Sequence, residues 1–193
     1  MKKLILASQS PRRRMLLENI GLKFEILVDD AEEEKEANWS PEKTVMALAE
    51  QKVVNVAKGV VSPAIIIGAD TVVAVDGEIL GKPKDEQQAA QMLCRLSGQE
   101  HCVFTGVAVL DTETGEKHIF YEQTKVRFKP LTAEEIQRYI ASGEPMDKAG
   151  AYGIQELGSL FVEGIDGDYF NVVGLPVCRL AGVLQEQFGI CIL

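Results

Sequence analysis

Leu4-Ile5-Leu6-Ala7-Ser8-Gln9-Ser10-Pro11-Arg12-Arg13-Arg14 reads as a strand, a turn and the opening of a helix. The apolar run from Lys3 to Ala7 predicts a short buried strand. Ser10 has N-cap chemistry and Pro11 suits the first helical position, so a helix is expected over Pro11–Asn19, ending near Gly21. A helix N-terminus carries a partial positive charge and favours acids, yet Arg12, Arg13 and Arg14 all lie in its first turn. Their charges oppose the helix dipole unless an anion sits among them. Backbone N–H groups and guanidinium forks together make a cradle for a phosphate.

Outward from this stretch, strands and helices alternate. Lys23–Val28 is expected to be a strand, followed by the acidic run Asp29–Glu36. Ser40-Pro41-Glu42 starts a helix reaching about Ala57. Ala64–Gly68 is apolar and β-branched, and Asp70–Val75 continues it to the turn signal Asp76-Gly77, with Glu78–Leu80 returning. A helix over Asp85–Leu96, strands over Cys102–Asp111 and Lys117–Phe128, and a capping-box helix from Thr132 to Ala141 follow. Glu144–Gly158 is too long for a simple connector. A short strand at Leu160–Glu163 and a helix over Pro176–Phe188 close the chain. The order predicts an α/β or α+β fold, an elongated mixed sheet with flanking helices.

With 193 residues, 46% of them hydrophobic, the chain is expected to form one domain with a full core. A net charge of −9 disfavours a protein that coats a nucleic-acid duplex, but not one that holds a small anion. Cys94, Cys102, Cys178 and Cys191 form no CxxC pair and read as reduced thiols. The apolar run after Lys2-Lys3 stops at Ser8, too short for a signal peptide, and no later run is long enough to span a bilayer. These features lead to the expectation of a cytoplasmic protein without a membrane segment.

Several residues are candidates for chemistry. Asp70 follows Ile65-Ile66-Ile67-Gly68-Ala69, where a carboxylate at a strand end would face the ligand crevice of an open sheet. A solvated aspartate in an Asx-turn explains it equally well. Thr71 places a hydroxyl on the opposite face. Lys82 lies in Gly81-Lys82-Pro83, where the proline restricts the backbone before it. Lys52 shares a mainly apolar helical face with Leu48, Ala49 and Val56, although a surface charge is the commoner role for either lysine. The acidic run reads first as a solvated loop, from which one carboxylate could bind a hard divalent cation. Lys148-Ala149-Gly150-Ala151-Tyr152-Gly153-Ile154-Gln155 has glycines for close backbone approach and an amide able to read a base edge. No GxxxxGK[ST] loop and no GxGxxG after a strand occurs, and no catalytic Cys–His pair is apparent. His101 and His118 read as sheet residues. Carboxylate, arginine and lysine chemistry remains, which suits attack of water on a phosphoanhydride.

Ser8-Gln9-Ser10-Pro11-Arg12-Arg13, Gly68-Ala69-Asp70-Thr71-Val72, Gly81-Lys82-Pro83, Lys148 to Gln155 and Gly167-Asp168-Tyr169 occur in this order along nearly the whole chain. In this the chain resembles the Maf family of nucleoside triphosphate pyrophosphatases, named for septum formation inhibition. The resemblance implies a single domain over 1–193 with a two-lobed α/β fold around a central cleft, like that of inosine triphosphate pyrophosphatases. It implies cleavage between the α- and β-phosphates of a nucleoside triphosphate, with a divalent metal cofactor, Mg²⁺ or Mn²⁺. Asp70 matches the proton acceptor, and Arg13, Thr71 and Gln155 match positions linked to base choice, in the pattern of the dTTP/UTP branch. Ser8, Arg12, Lys52 and Lys82 match phosphate-lining positions, with Glu33 and Asp70 at the metal. A homodimer also fits the resemblance. Two rivals remain: a non-catalytic nucleotide-binding regulator of septum formation, and an RNA-binding module built on the arginine cluster, which the acidic balance disfavours.

Overall fold

The structure, a computed structural model, describes residues 2–29, 31, 34, 36 and 38–193. Among these, strands β1 (Lys3–Leu6), β2 (Glu25–Ile26), β3 (Ala64–Val75), β4 (Glu78–Leu80), β5 (Glu100–Asp111), β6 (Lys117–Phe128) and β7 (Val162–Asp166) form one sheet in the order β2-β1-β3-β5-β6-β7, with β4 on β3. β1 runs parallel to both β2 and β3, whereas β4 on β3 and β7 on β6 are antiparallel, so the sheet is mixed. The helices are α1 (Pro11–Asn19), α2 (Pro41–Ala57), α3 (Glu86–Leu96), α4 (Ala133–Ala141), α5 (Tyr169–Val173) and α6 (Val177–Phe188). The expected mixed α/β sheet with flanking helices is the fold observed.

Local chemistry sets the helix starts. Ser10, Ser40, Asp85 and Thr132 each accept from a backbone N–H of the helix they cap. Thr132 and Glu135 complete the reciprocal capping box. Three elements differ from expectation. β2 covers only Glu25–Ile26, because Leu27 and Val28 leave the ladder after one further bond from Leu27 N–H to Leu6 O. The last strand lies at Val162–Asp166, its predicted first half being taken by a 3₁₀ turn over Glu156–Phe161. α5 was not expected, since its five residues follow a glycine-rich turn and are too few to show a helical period.

Two compact units are present. The first comprises Met1–Asp70, Thr105–Glu122 and Gly174–Leu193. Its core includes Ile5, Ala7, Ala49, Val53, Ile66 and Ala108. The second comprises Thr71–Phe104 and Gln123–Val173. Its core gathers Val73, Leu93, Leu96, Phe128, Tyr139 and Phe161.

In the first unit, glycine decides how closely α2 approaches the sheet. A Cβ on Gly106 would lie 2.3 Å from the Val45 carbonyl carbon and oxygen, and one on Gly68 would lie 2.7 Å from Val53 Cγ1. Bare backbone in β3 and β5 thus lets α2 settle against them. The space over Gly68 is filled by Ala49, Lys52 and Val53 of α2.

Candidate functional site

β3 is buried along its whole length except at Asp70 and Thr71, its seventh and eighth residues. Asp70 therefore lies mid-strand and not at a strand end. Its backbone is in the ladder, which removes the Asx-turn reading. Two adjacent polar residues in an otherwise apolar strand present side chains to opposite faces of the sheet.

Within the first unit, α2 brings Lys52 to Asp70. The Lys52 ammonium donates to Asp70 Oδ1 and, at 3.4 Å, to the Ala69 carbonyl. Their side chains are only 24% and 15% exposed, so this is no loose surface pair. Gly68 is the cause, because its missing Cβ lets the Lys52 turn of α2 lie on β3. The surface-charge reading of Lys52 is thereby set aside.

The same sheet register delivers the arginine turn. Leu6 pairs with Ile67, and Ala7 N–H donates to Ile67 O at 2.7 Å, so the chain leaves β1 three residues before Asp70 on the neighbouring strand. Ser8 follows and is buried. Its Oγ accepts from Ser10 N–H and from Arg13 Nη1, both at 3.2 Å. Arg13 Nε donates to Gly174 O at 2.8 Å. These bonds from Nε and Nη1 hold the Arg13 guanidinium in place. Arg14 turns away to Glu18 one helical turn on, at 2.7 Å. Arg12 is half-buried in the same first turn.

Within the second unit, Thr71 opens the buried run that ends in the β3–β4 hairpin. Lys82 is exposed on the loop after β4, ahead of the buried Pro83. The Gly81 carbonyl accepts from Gly150 N–H at 3.0 Å, which ties that loop to the one carrying Gln155. Gly150 has a positive φ of 68°, and a Cβ there would lie 2.9 Å from Val73 Cβ. Glycine is required on both counts. Gln155 is half-buried in extended backbone at φ −85°, ψ 169° and leads into the 3₁₀ turn Glu156–Phe161. Tyr152 and Ile154 are buried, which explains why this loop carries apolar residues. Tyr152 Oη lies 2.7 Å from His101 Nε2, and both rings pack on Phe128. Burial pushes the His101 imidazole down to about 4.

Glu33 lies outside the described residues. Among the described residues no group of three or more His, Cys, Asp or Glu could hold a metal. Mg²⁺ does not need one, since it is commonly held by one or two carboxylates together with substrate phosphates and water. Asp70, a partly exposed carboxylate with one oxygen taken by Lys52, fits that mode through its other oxygen. No helix among the described residues is long and apolar enough to cross a membrane.

The chain is 54% identical over 191 residues to a protein from Bacillus pumilus named dTTP/UTP pyrophosphatase, covering 98% of each. It is 52% identical over 193 residues to one of the same name from Alkaliphilus metalliredigens, covering both completely. Among solved structures, a nucleoside-triphosphatase (dITP/XTP pyrophosphatase) from Mycobacterium abscessus aligns at 19% identity over 68% of this chain and 76% of that one. Its TM-score is 0.44, a likeness too slight to bear on the fold. The family model for Maf-like protein matches residues 3–187. With the arginine turn, the Lys52–Asp70 pair and the Gln155 loop all inside the matched span, the chain belongs to the Maf-like protein family.

Proposed function

We propose that the chain is a nucleoside triphosphate pyrophosphatase that hydrolyses dTTP and UTP to the monophosphate and pyrophosphate, with 1–193 acting as one functional domain. The observation that carries this reading is the Lys52–Asp70 pair at the polar break in β3. Relatives at 52% and 54% identity over nearly their whole length, named for that activity, support it.

Asp70 supplies the carboxylate that takes the proton of the attacking water, a role worth roughly 10²–10⁴-fold. Lys52, Arg12 and Lys82 neutralise the triphosphate and steady the departing pyrophosphate. The Ser8 oxygen already accepts two N–H groups, so Ser8 meets a phosphate as a donor through its hydroxyl hydrogen. Arg13, held by Ser8 and Gly174, joins Thr71 and Gln155 in choosing the base. Gln155 offers both a donor and an acceptor to a pyrimidine edge. A divalent cation would be held by Asp70 and Glu33. When bound, it neutralises phosphate charge and polarises the phosphoryl oxygens. A homodimer in the cytoplasm is the setting we propose.

The test is release of pyrophosphate from each common triphosphate, with and without Mg²⁺ or Mn²⁺. Metal-dependent release that favours dTTP and UTP is expected. A purine preference, or nucleotide binding without turnover in the presence of metal, would reject the reading.

A further inference from the structure

The loop carrying Gln155 is held by two residues that precede it. Tyr139 belongs to α4, and Glu144 opens the 3₁₀ turn Glu144–Asp147. The Tyr139 phenol donates to Glu144 Oε1 at 2.9 Å and accepts from Gly153 N–H at 3.2 Å. Glu144 Oε1 also accepts from Gly158 N–H, and Oε2 from Leu157 N–H, both at 3.1 Å. Backbone amides on either side of Gln155 thus converge on one phenol–carboxylate pair. Lys148 does not compete for that carboxylate, because its ammonium donates to the Glu144 carbonyl at 2.7 Å and to Asp147 at 2.9 Å.

The loop needs such a hold. Ala151 and Glu156 adopt positive φ of 60° and 57° without being glycine, and Glu156 directly follows Gln155. Non-glycine residues stay in that region only when their surroundings over-determine them, and such outliers gather at ligand-facing segments. A Cβ on Gly158 would lie 2.2 Å from Gly153 O and 2.9 Å from Tyr139 Oη, so the two arms of the loop touch at bare backbone. Burial, the largest influence on the Tyr139 phenol, raises its pKa above the usual range and keeps it a protonated donor to Glu144.

We infer that Tyr139 and Glu144 are positioning residues for nucleobase selection, acting through the backbone that presents Gln155. This rests on the base-reading role proposed above for Gln155. Neither residue touches the phosphates or the reacting atoms in this scheme. Their loss therefore weakens recognition of the pyrimidine and leaves the chemical step nearly intact.

The experiment compares Tyr139→Phe, Glu144→Gln and Gln155→Ala with the wild type. It measures kcat and KM for UTP and GTP, and amide hydrogen exchange over residues 153–158 on the same preparations. One lost hydrogen bond of ordinary worth corresponds to about tenfold. KM for UTP is expected to rise about tenfold in Tyr139→Phe, with kcat within about twofold and the preference for UTP over GTP narrowed. Exchange at Gly153, Leu157 and Gly158 is expected to quicken. Adding either change to Gln155→Ala should cost little further, because coupled residues are not additive. Folded variants with wild-type exchange or wild-type preference would overturn the inference, as would a fall in kcat shared equally by all nucleotides. If Gln155→Ala loses the preference and the other two keep it, the positioning role alone fails. If Gln155→Ala also keeps it, the base-reading role of Gln155 fails as well.

Discussion

Lys52 in α2 and Asp70 in β3 form a shielded ion pair, and a glycine two residues before the aspartate makes that possible. A helix that packs over Gly68 delivers the ammonium to the one stretch of β3 that is not fully buried. Charge, packing and the candidate reaction centre thus depend on the same short segment.

Asp70→Asn keeps the size of the side chain and removes the proton acceptor. Turnover of dTTP and UTP by the folded variant is expected to fall roughly 10²–10⁴-fold, with some loss of thermal stability because Lys52 loses its charged partner. Stopped assays of pyrophosphate release alongside a melting curve check this. Near-normal turnover would remove Asp70 from the role.

Gly68→Ala tests the packing that sets up the pair. The added methyl meets Val53 Cγ1 and the Ala49 carbonyl at 2.7 and 2.9 Å. Lifting α2 should destabilise the protein by about 1–3 kcal/mol and lower activity through displacement of Lys52. Urea unfolding with activity measured on the folded fraction separates the two effects.

Two further glycines should respond in opposite senses. Gly106→Ala drives a methyl into the Val45 backbone, which has no flexible end to give, so a loss of about 3 kcal/mol is expected. Gly182 lies inside α6, where a new Cβ meets nothing within 4 Å. Gly182→Ala should stabilise by about 0.5–1 kcal/mol. Denaturant midpoints of the two variants against wild type decide it.

Stability should also fall in acid because of His101. Its imidazole protonates near 6.5 in the unfolded chain and only near 4 when buried. The unfolded state therefore binds more protons between those values. Stability is complete above about pH 6.5 and declines as pH drops toward 4, by at most about 3 kcal/mol from this group. Unfolding free energies of wild type and His101→Gln across that window should diverge at high pH and converge at low pH. Parallel curves would show that His101 does not carry the slope.

Much of this was legible in the residues. Caps at Ser10, Ser40 and Thr132 and the hairpin at Asp76-Gly77 announce their elements locally, and the structure has them there. The place of Asp70 was harder to read, because an aspartate after an apolar run looks the same whether the strand stops or continues. Packing of α2 against the sheet decides the matter, and that information lies in α2, Gly68 and Gly106. Lys52 was marked in the sequence by its mainly apolar helical face and by the family resemblance, but its pairing with residue 70 arises only in the fold. Tyr139 and Glu144 left no local sign, since their partners are backbone amides of a distant loop.

The bond from Gly150 N–H to the Gly81 carbonyl bears on redesign. Gly150 is pinned to Val73 on one side and to the Lys82 loop on the other. Grafting a foreign 148–158 segment to retune substrate range would therefore shift Lys82 too. Transplants that carry residues 78–84 along with the segment should keep turnover where the segment alone loses it.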